Sequence, residues 1–178
     1  LEKHREIEVK ETKKTITKLL GIEIQKNNIS KNETVIDMVS SYMGALTDKE
    51  SIILKAHLLV ERFLISYVEI TTKNIRPLEN ERLNYKQWLA IVRSNHDPDD
   101  NVWLWELLEK LNRLRNGFAH QLDTLPSEEK IKEFMAILEK RMKTQGFLTG
   151  SKSTDLKQSL VQLCGIVVNY HRPKGRGF

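Results

Sequence analysis

Apolar residues recur along this chain at intervals of three and four, the spacing of one helix face, and nowhere alternate over a length that would make a strand. The pattern predicts an all-α protein: an antiparallel bundle of four to five core helices with additional terminal helices, folded as a single domain over residues 1–178. From Asn32 to Leu46, the residues Val35, Ile36, Val39, Tyr42, Met43 and Leu46 share one face. Thr47 to Glu50 reads TDKE, a capping box in which Thr47 accepts from the third helical amide and Glu50 reaches back. A long helix is predicted from there to about Lys73, with Pro77 closing the connection behind it. Leu78 to Ser94 is amphipathic through Leu83, Trp88, Leu89 and Val92, and the acidic HDPDDN after it lacks the glycine and terminal glutamate of a calcium-binding hand loop. Three further helices are predicted, from about Asp99 to Leu122, from SEEK to about Lys143, and from about Asp155 to Tyr170. Trp88, Trp103 and Trp105 read as core or dimer-contact residues rather than as platforms for stacking bases.

The opening stretch is different. Its apolar positions (Ile7, Val9, Ile16, Leu19, Leu20) are sparse among charges, so residues 1–30 read as a loosely packed or flexible segment. The core is expected over residues 47–145, with a last helix and a basic tail over 151–178. At 178 residues a chain buries roughly 70% of its unfolded surface without crosslinks. The single cysteine, Cys164, offers no internal disulfide, which fits a reducing, cytoplasmic setting. No apolar run approaches the roughly 20 residues that span a bilayer, so no membrane partner is expected.

Net charge is +5 and the pI is about 9.2, a moderate excess that favours polyanionic partners without requiring them. Basic residues cluster in HRPKGRGF at the C-terminus and at Lys140, Arg141 and Lys143, which read first as a frayed tail and a solvated face. Five histidines without matching Cys or His partners predict no metal site, and the lack of a phosphate-cradling glycine loop predicts no cofactor.

Candidate chemistry enters with LNRLRNGFAHQL, Leu111 to Leu122. Gly inside a helix costs about 1 kcal/mol relative to Ala, yet Gly117 sits there with Arg115, Asn116 and His120. At about 100° per residue, Trp103, Leu104, Leu107, Leu111, Leu114, Phe118 and Leu122 crowd one arc, which must be the core contact. Asn112, Asn116, Ala119, His120 and Asp123 lie on another, with Asn116 and His120 one turn apart. Arg115 and His120 diverge by about 140° and flank the small residues 117 and 119, where a second backbone or a ligand could approach.

The upstream long helix has a matching anomaly. Its solvent stripe is Ser51, Lys55, Arg62, Glu69 and Lys73, whereas His57 and Glu61 share a face with Ile53, Val60, Leu64 and Val68. A carboxylate in such company is costly unless paired or protonated. Its economical partner is Arg115 or His120 across an antiparallel helix pair; an ion pair that merely fixes register accounts for Glu61 equally well.

Cleaving RNA without a metal needs a base near the ribose 2′-hydroxyl, a cation for the charge gathering on phosphate, and a proton for the leaving oxygen. Histidine suits proton transfer near pH 7. Arginine's planar fork suits the phosphate. Asn116 could hold the imidazole or the phosphate, and Glu61 could orient Arg115.

RNGFAH, Arg115 to His120, resembles the Arg-x4-6-His motif of the HEPN superfamily, in which a polar residue, often Asn, follows the Arg; HLLVERFL, His57 to Leu64, is similar to its acid-bearing core helix. The resemblance covers roughly Thr47 to Gln145. It implies a four- to five-helix bundle that forms a homodimer with the motif helix at the interface. It further implies a metal-independent endoribonuclease acting on RNA in toxin–antitoxin, abortive-infection or CRISPR defence, leaving a 2′,3′-cyclic phosphate. Carried over by residue, Arg115 and His120 are catalytic, Asn116 supports them and Glu61 orients. An antitoxin or a larger defence-system partner is implied as well. Members controlled by a nucleotidyltransferase antitoxin often carry Tyr two residues after the His; Leu122 stands there and has no hydroxyl to adenylylate. Other members have lost catalysis and serve as modules for protein or nucleic-acid binding or dimerisation, which is the alternative reading.

Overall fold

The computed structural model describes residues 31–99, 101–120, 128–144, 146 and 155–170. Among the described residues there are seven helices and no strand, an all-α bundle as the periodicity predicts. They are α1 (Lys31–Met43), α2 (Lys49–Thr71), α3 (Arg76–Glu79), α4 (Tyr85–Ser94), α5 (Val102–His120), α6 (Glu128–Thr144) and α7 (Leu156–Tyr170). The charged N-terminal stretch, Leu122, Asp123 and the basic tail 171–178 lie outside the described residues.

α1 ends at Met43, three residues before the predicted Leu46. Gly44 takes φ +56° and returns its N–H to Ser40, a left-handed turn that glycine makes without a steric penalty. The cap of α2 is likewise one residue later than TDKE suggested. Asp48, not Thr47, is extended and accepts from the Ser51 amide at 2.8 Å, which holds its carboxyl below the usual range. Aspartate caps at least as well as threonine and adds a negative charge at the positive end of the helix.

The predicted helix Leu78–Ser94 is broken in two. Pro77 lies in the first turn of α3, where its missing N–H is no loss, and the chain then becomes extended at Asn84. There the Asn84 side chain accepts from the Gln87 amide at 3.2 Å while Gln87 accepts from the Asn84 amide at 2.8 Å, a reciprocal capping box that starts α4. Asn84→Ala should cost about 1 kcal/mol, read as a lower midpoint of urea unfolding with an unchanged slope; an unmoved midpoint would show that the box contributes nothing.

The long helix α2 is the centre of the bundle, packing on α1, α4, α5 and α7, and α5 lies against α2, α4 and α6. Ile53, Leu59 and Leu64 of α2, Leu104, Leu107 and Leu111 of the inner face of α5, and Leu138 and Met142 of α6 are fully enclosed. The predicted arc of α5 is buried from Trp103 to Leu114, but so are Trp105 and Leu108, because neighbours cover most of the circumference of its first three turns. Trp88 is buried too. α7 passes close to α1 at Gly165, where a β-carbon would meet the Ile36 side chain at 3.4 Å. Lys49 with Glu128, and Lys110 with Glu133 at 3.4 Å, tie α6 to α2 and α5. No helix of the described residues is long and apolar enough to cross a membrane.

Candidate functional site

Where α2 meets the second half of α5, apolar packing gives way to polar side chains. They line a cleft of about 390 Å³, with His57 and Glu61 from α2, Asn112, Arg115 and Asn116 from α5, and Asn84, Tyr85 and Lys86 from the start of α4. The Asn84 box is what swings α4 into this position, so a local capping signal brings a third wall to the site.

The floor is ordered by His57. Its ring, 3% exposed, stacks on Tyr85 with centroids 4.3 Å apart, and Tyr85 in turn donates to the Leu108 carbonyl at 3.2 Å. His57 Nε2 lies 3.0 Å from Asn112 Oδ1. That oxygen can only accept, so Nε2 carries the proton and Nδ1 is left as a lone pair. Nδ1 has no hydrogen-bond partner among the described residues. Burial pushes the imidazole down to about 4, against the Asn112 bond that favours its charged form; the Arg115 charge lowers it further. His57 is therefore neutral at pH 7.

On the wall, the Arg115 guanidinium donates to Asn116 Oδ1 at 3.1 Å, and both residues are half-buried. Burial raises the Glu61 carboxyl above its usual range, opposed by the charges of Arg115 and then Arg62. Glu61, Arg115 and Asn116 thus meet in one cleft, as candidates drawn from the sequence. His120 is the last residue of α5, one turn beyond Asn116; its side chain lies outside the described residues.

Two expectations need correction. Glu61 is half-buried rather than enclosed, because it stands at the edge between the buried face of α2 and the more open side through Leu54, Leu58 and Ile65. Nor does an ion pair join it to Arg115 among the described residues: the two charges sense each other across the cleft while the guanidinium bonds to its own neighbour. A rim carboxylate that solvent still reaches does not require a partner.

The His57–Asn112 pair was not anticipated. Its signal was present: each residue is polar at a buried position one helical turn before a candidate, 57 before 61 and 112 before 116. Tyr85 and Lys86 reach the cleft only through the α4 turn, which no periodicity reveals.

The buried imidazole makes stability depend on pH. Unfolded, His57 titrates near 6.5, so between there and its folded value the unfolded chain binds the extra proton. Its contribution is complete above about pH 6.5 and is lost as pH falls through that value toward 4, roughly 3 kcal/mol in all at about 1.4 kcal/mol per pH unit. Glu61 acts with the opposite sign, since a raised acid stabilises below its unfolded value of 4.5 and loses that contribution as pH rises through its folded one. Melting between pH 7 and 4.5 should therefore be steeper for wild type than for His57→Gln, which keeps a donor for Asn112 and does not titrate. Parallel curves would exclude His57 as the source.

Among the described residues, no group of three or more His, Cys, Asp or Glu side chains could hold a metal ion. Comparison with protein-family models, with curated proteins and with solved structures finds no match for this chain.

Proposed function

We propose that the protein is a metal-independent endoribonuclease of the HEPN type, cleaving RNA by attack of a ribose 2′-hydroxyl on the adjacent phosphate. The observation that supports this most directly is the gathering of Glu61, Arg115 and Asn116, from two different helices, around one open cleft. Arg115 meets the non-bridging phosphate oxygens with its fork and stays charged throughout. Asn116 already restrains that guanidinium, and the nearby Glu61 adds an opposite charge that favours keeping it in the cleft. His120 takes the proton from the 2′-hydroxyl as the 2′-oxygen bonds to phosphorus. The bond from phosphorus to the 5′-oxygen then breaks, and that oxygen takes a proton from a second imidazole, the same residue of a second copy in a two-fold dimer. The products are a 2′,3′-cyclic phosphate and a 5′-hydroxyl. His57, neutral and acceptor-only at Nδ1, is a positioning residue: it fixes Asn112 one turn before Asn116.

Such an activity fits a toxin–antitoxin, abortive-infection or other defence system in the cytoplasm, with RNA as substrate and an antitoxin or larger assembly as its restraint. Wild-type protein should shorten a labelled single-stranded RNA in excess EDTA as fast as in magnesium. RNA that stays intact under both conditions, while still being bound, would assign the chain to the non-catalytic helical modules.

A further inference from the structure

Beside the cleft a second groove opens, and the two share Lys86. It holds about 250 Å³ between α4 and α5, lined by Lys86, Leu89, Ala90 and Arg93 on one helix and by Glu109 and Arg113 on the other. Lys86, Arg93 and Arg113 are exposed. The one carboxylate is already engaged, since Glu109 pairs with Arg113 at 3.7 Å. Lys86 and Arg93 have no ion-pair partner among the described residues. The groove therefore carries a net positive charge and adjoins the cleft containing Arg115 at Lys86.

Its chemistry narrows the occupant. Between Lys86 and Arg93 the helix advances about 10 Å at 1.5 Å per residue, so the cations are strung along the groove rather than gathered at one point. The lining offers no aromatic face on which a base could stack, and Trp88 of the same helix is buried in the core. The exposed large apolar residues Leu58, Ile70 and Val102 are not part of it, and its only apolar side chains, Leu89 and Ala90, are few beside the charged ones and include no aromatic anchor for a protein partner. We propose that the α4–α5 groove is the track on which the phosphate backbone of single-stranded RNA lies, without regard to sequence, as the strand enters the cleft through Lys86. This rests on the endoribonuclease reading for the identity of the strand, but its binding can be measured without any cleavage.

The probe is a short, labelled, mixed-sequence RNA with every ribose 2′-O-methylated, which cannot be cut by 2′-hydroxyl attack. Binding is followed by fluorescence anisotropy over a range of salt. Lys86→Gln/Arg93→Gln/Arg113→Gln should weaken binding at least about tenfold near 0.1 M salt and reduce the log–log salt slope by about 2, at about 0.7 per phosphate on a single strand. Arg93→Gln alone should remove about a third of that slope change. The charge-matched Lys140→Gln/Arg141→Gln/Lys143→Gln, at the far end of α6, should change affinity less than about twofold. Equal losses from both triple variants would reduce the effect to net charge and overturn the track, as would unchanged binding in the groove variant. Displacement of the probe by poly-glutamate as effectively as by unlabelled RNA would give the groove to an acidic protein and overturn it too. If the groove variant behaves as expected while unmodified RNA is never cut, the endoribonuclease reading fails and the track stands.

Discussion

His120→Ala should lower kcat/KM for RNA by about 10²- to 10⁴-fold, the usual worth of a positioned proton-transfer group, and Arg115→Ala by about 10²- to 10³-fold, the worth of one preorganised donor to developing charge. In the proposed mechanism the two residues serve one transition state, so the double variant should be scarcely worse than the weaker single one. Arg115→Lys should restore little, because an ammonium cannot donate the two parallel bonds of the guanidinium or keep the same bond to Asn116. Arg115 is half-buried and His120 is the last residue of α5, so each variant should keep its melting temperature within a few degrees. Activity within about tenfold of wild type in either alanine variant would remove these residues from the chemistry.

The largest stability effect is expected in the first turns of the same helix. Trp105 is 1% exposed and its ring sits 5.4 Å from that of His96. Trp105→Ala leaves a cavity that the surrounding α5 neighbours, themselves fully packed, can only partly fill, at a cost of about 3–5 kcal/mol. For a chain of this size each kcal/mol lowers Tm by roughly 2–4 °C, so thermal unfolding should begin about 6–20 °C lower. Val102→Ala, three residues earlier and on the exposed side, should barely move it. Similar small shifts in both variants would mean that α5 is not enclosed as described.

Helix identity was legible in the sequence because burial on one face imposes a period, and α6 and α7 start and stop within a residue or two of where the apolar pattern does. Boundaries set by competing caps were less so. Thr47 and Asp48 both stand where a side chain can reach an amide, and only the dihedral at 48 decides between them. Asn84 and Gln87 carry the same spacing as the TDKE box, yet Leu83 before them and Trp88 and Leu89 after them continue the apolar pattern and conceal the break between α3 and α4. At the site, Arg115, Asn116 and Glu61 were visible as polar residues placed against the periodicity of their own helices. What they touch depends on the register between helices, which neither sequence segment encodes by itself. Hence the bond from Arg115 goes to Asn116 rather than Glu61, and His57 pairs with Asn112.

In the proposed reaction an RNA strand in the cleft is cut by its own 2′-oxygen. The most direct test is an oligodeoxynucleotide carrying a single ribonucleotide, incubated with wild-type protein in EDTA and sequenced by mass. The expected result is one cut, immediately 3′ of the ribose, with a 2′,3′-cyclic phosphate on the upstream fragment and no cut in the all-deoxy strand. Scission at deoxy positions, or an upstream fragment ending in a 3′-hydroxyl, would contradict it.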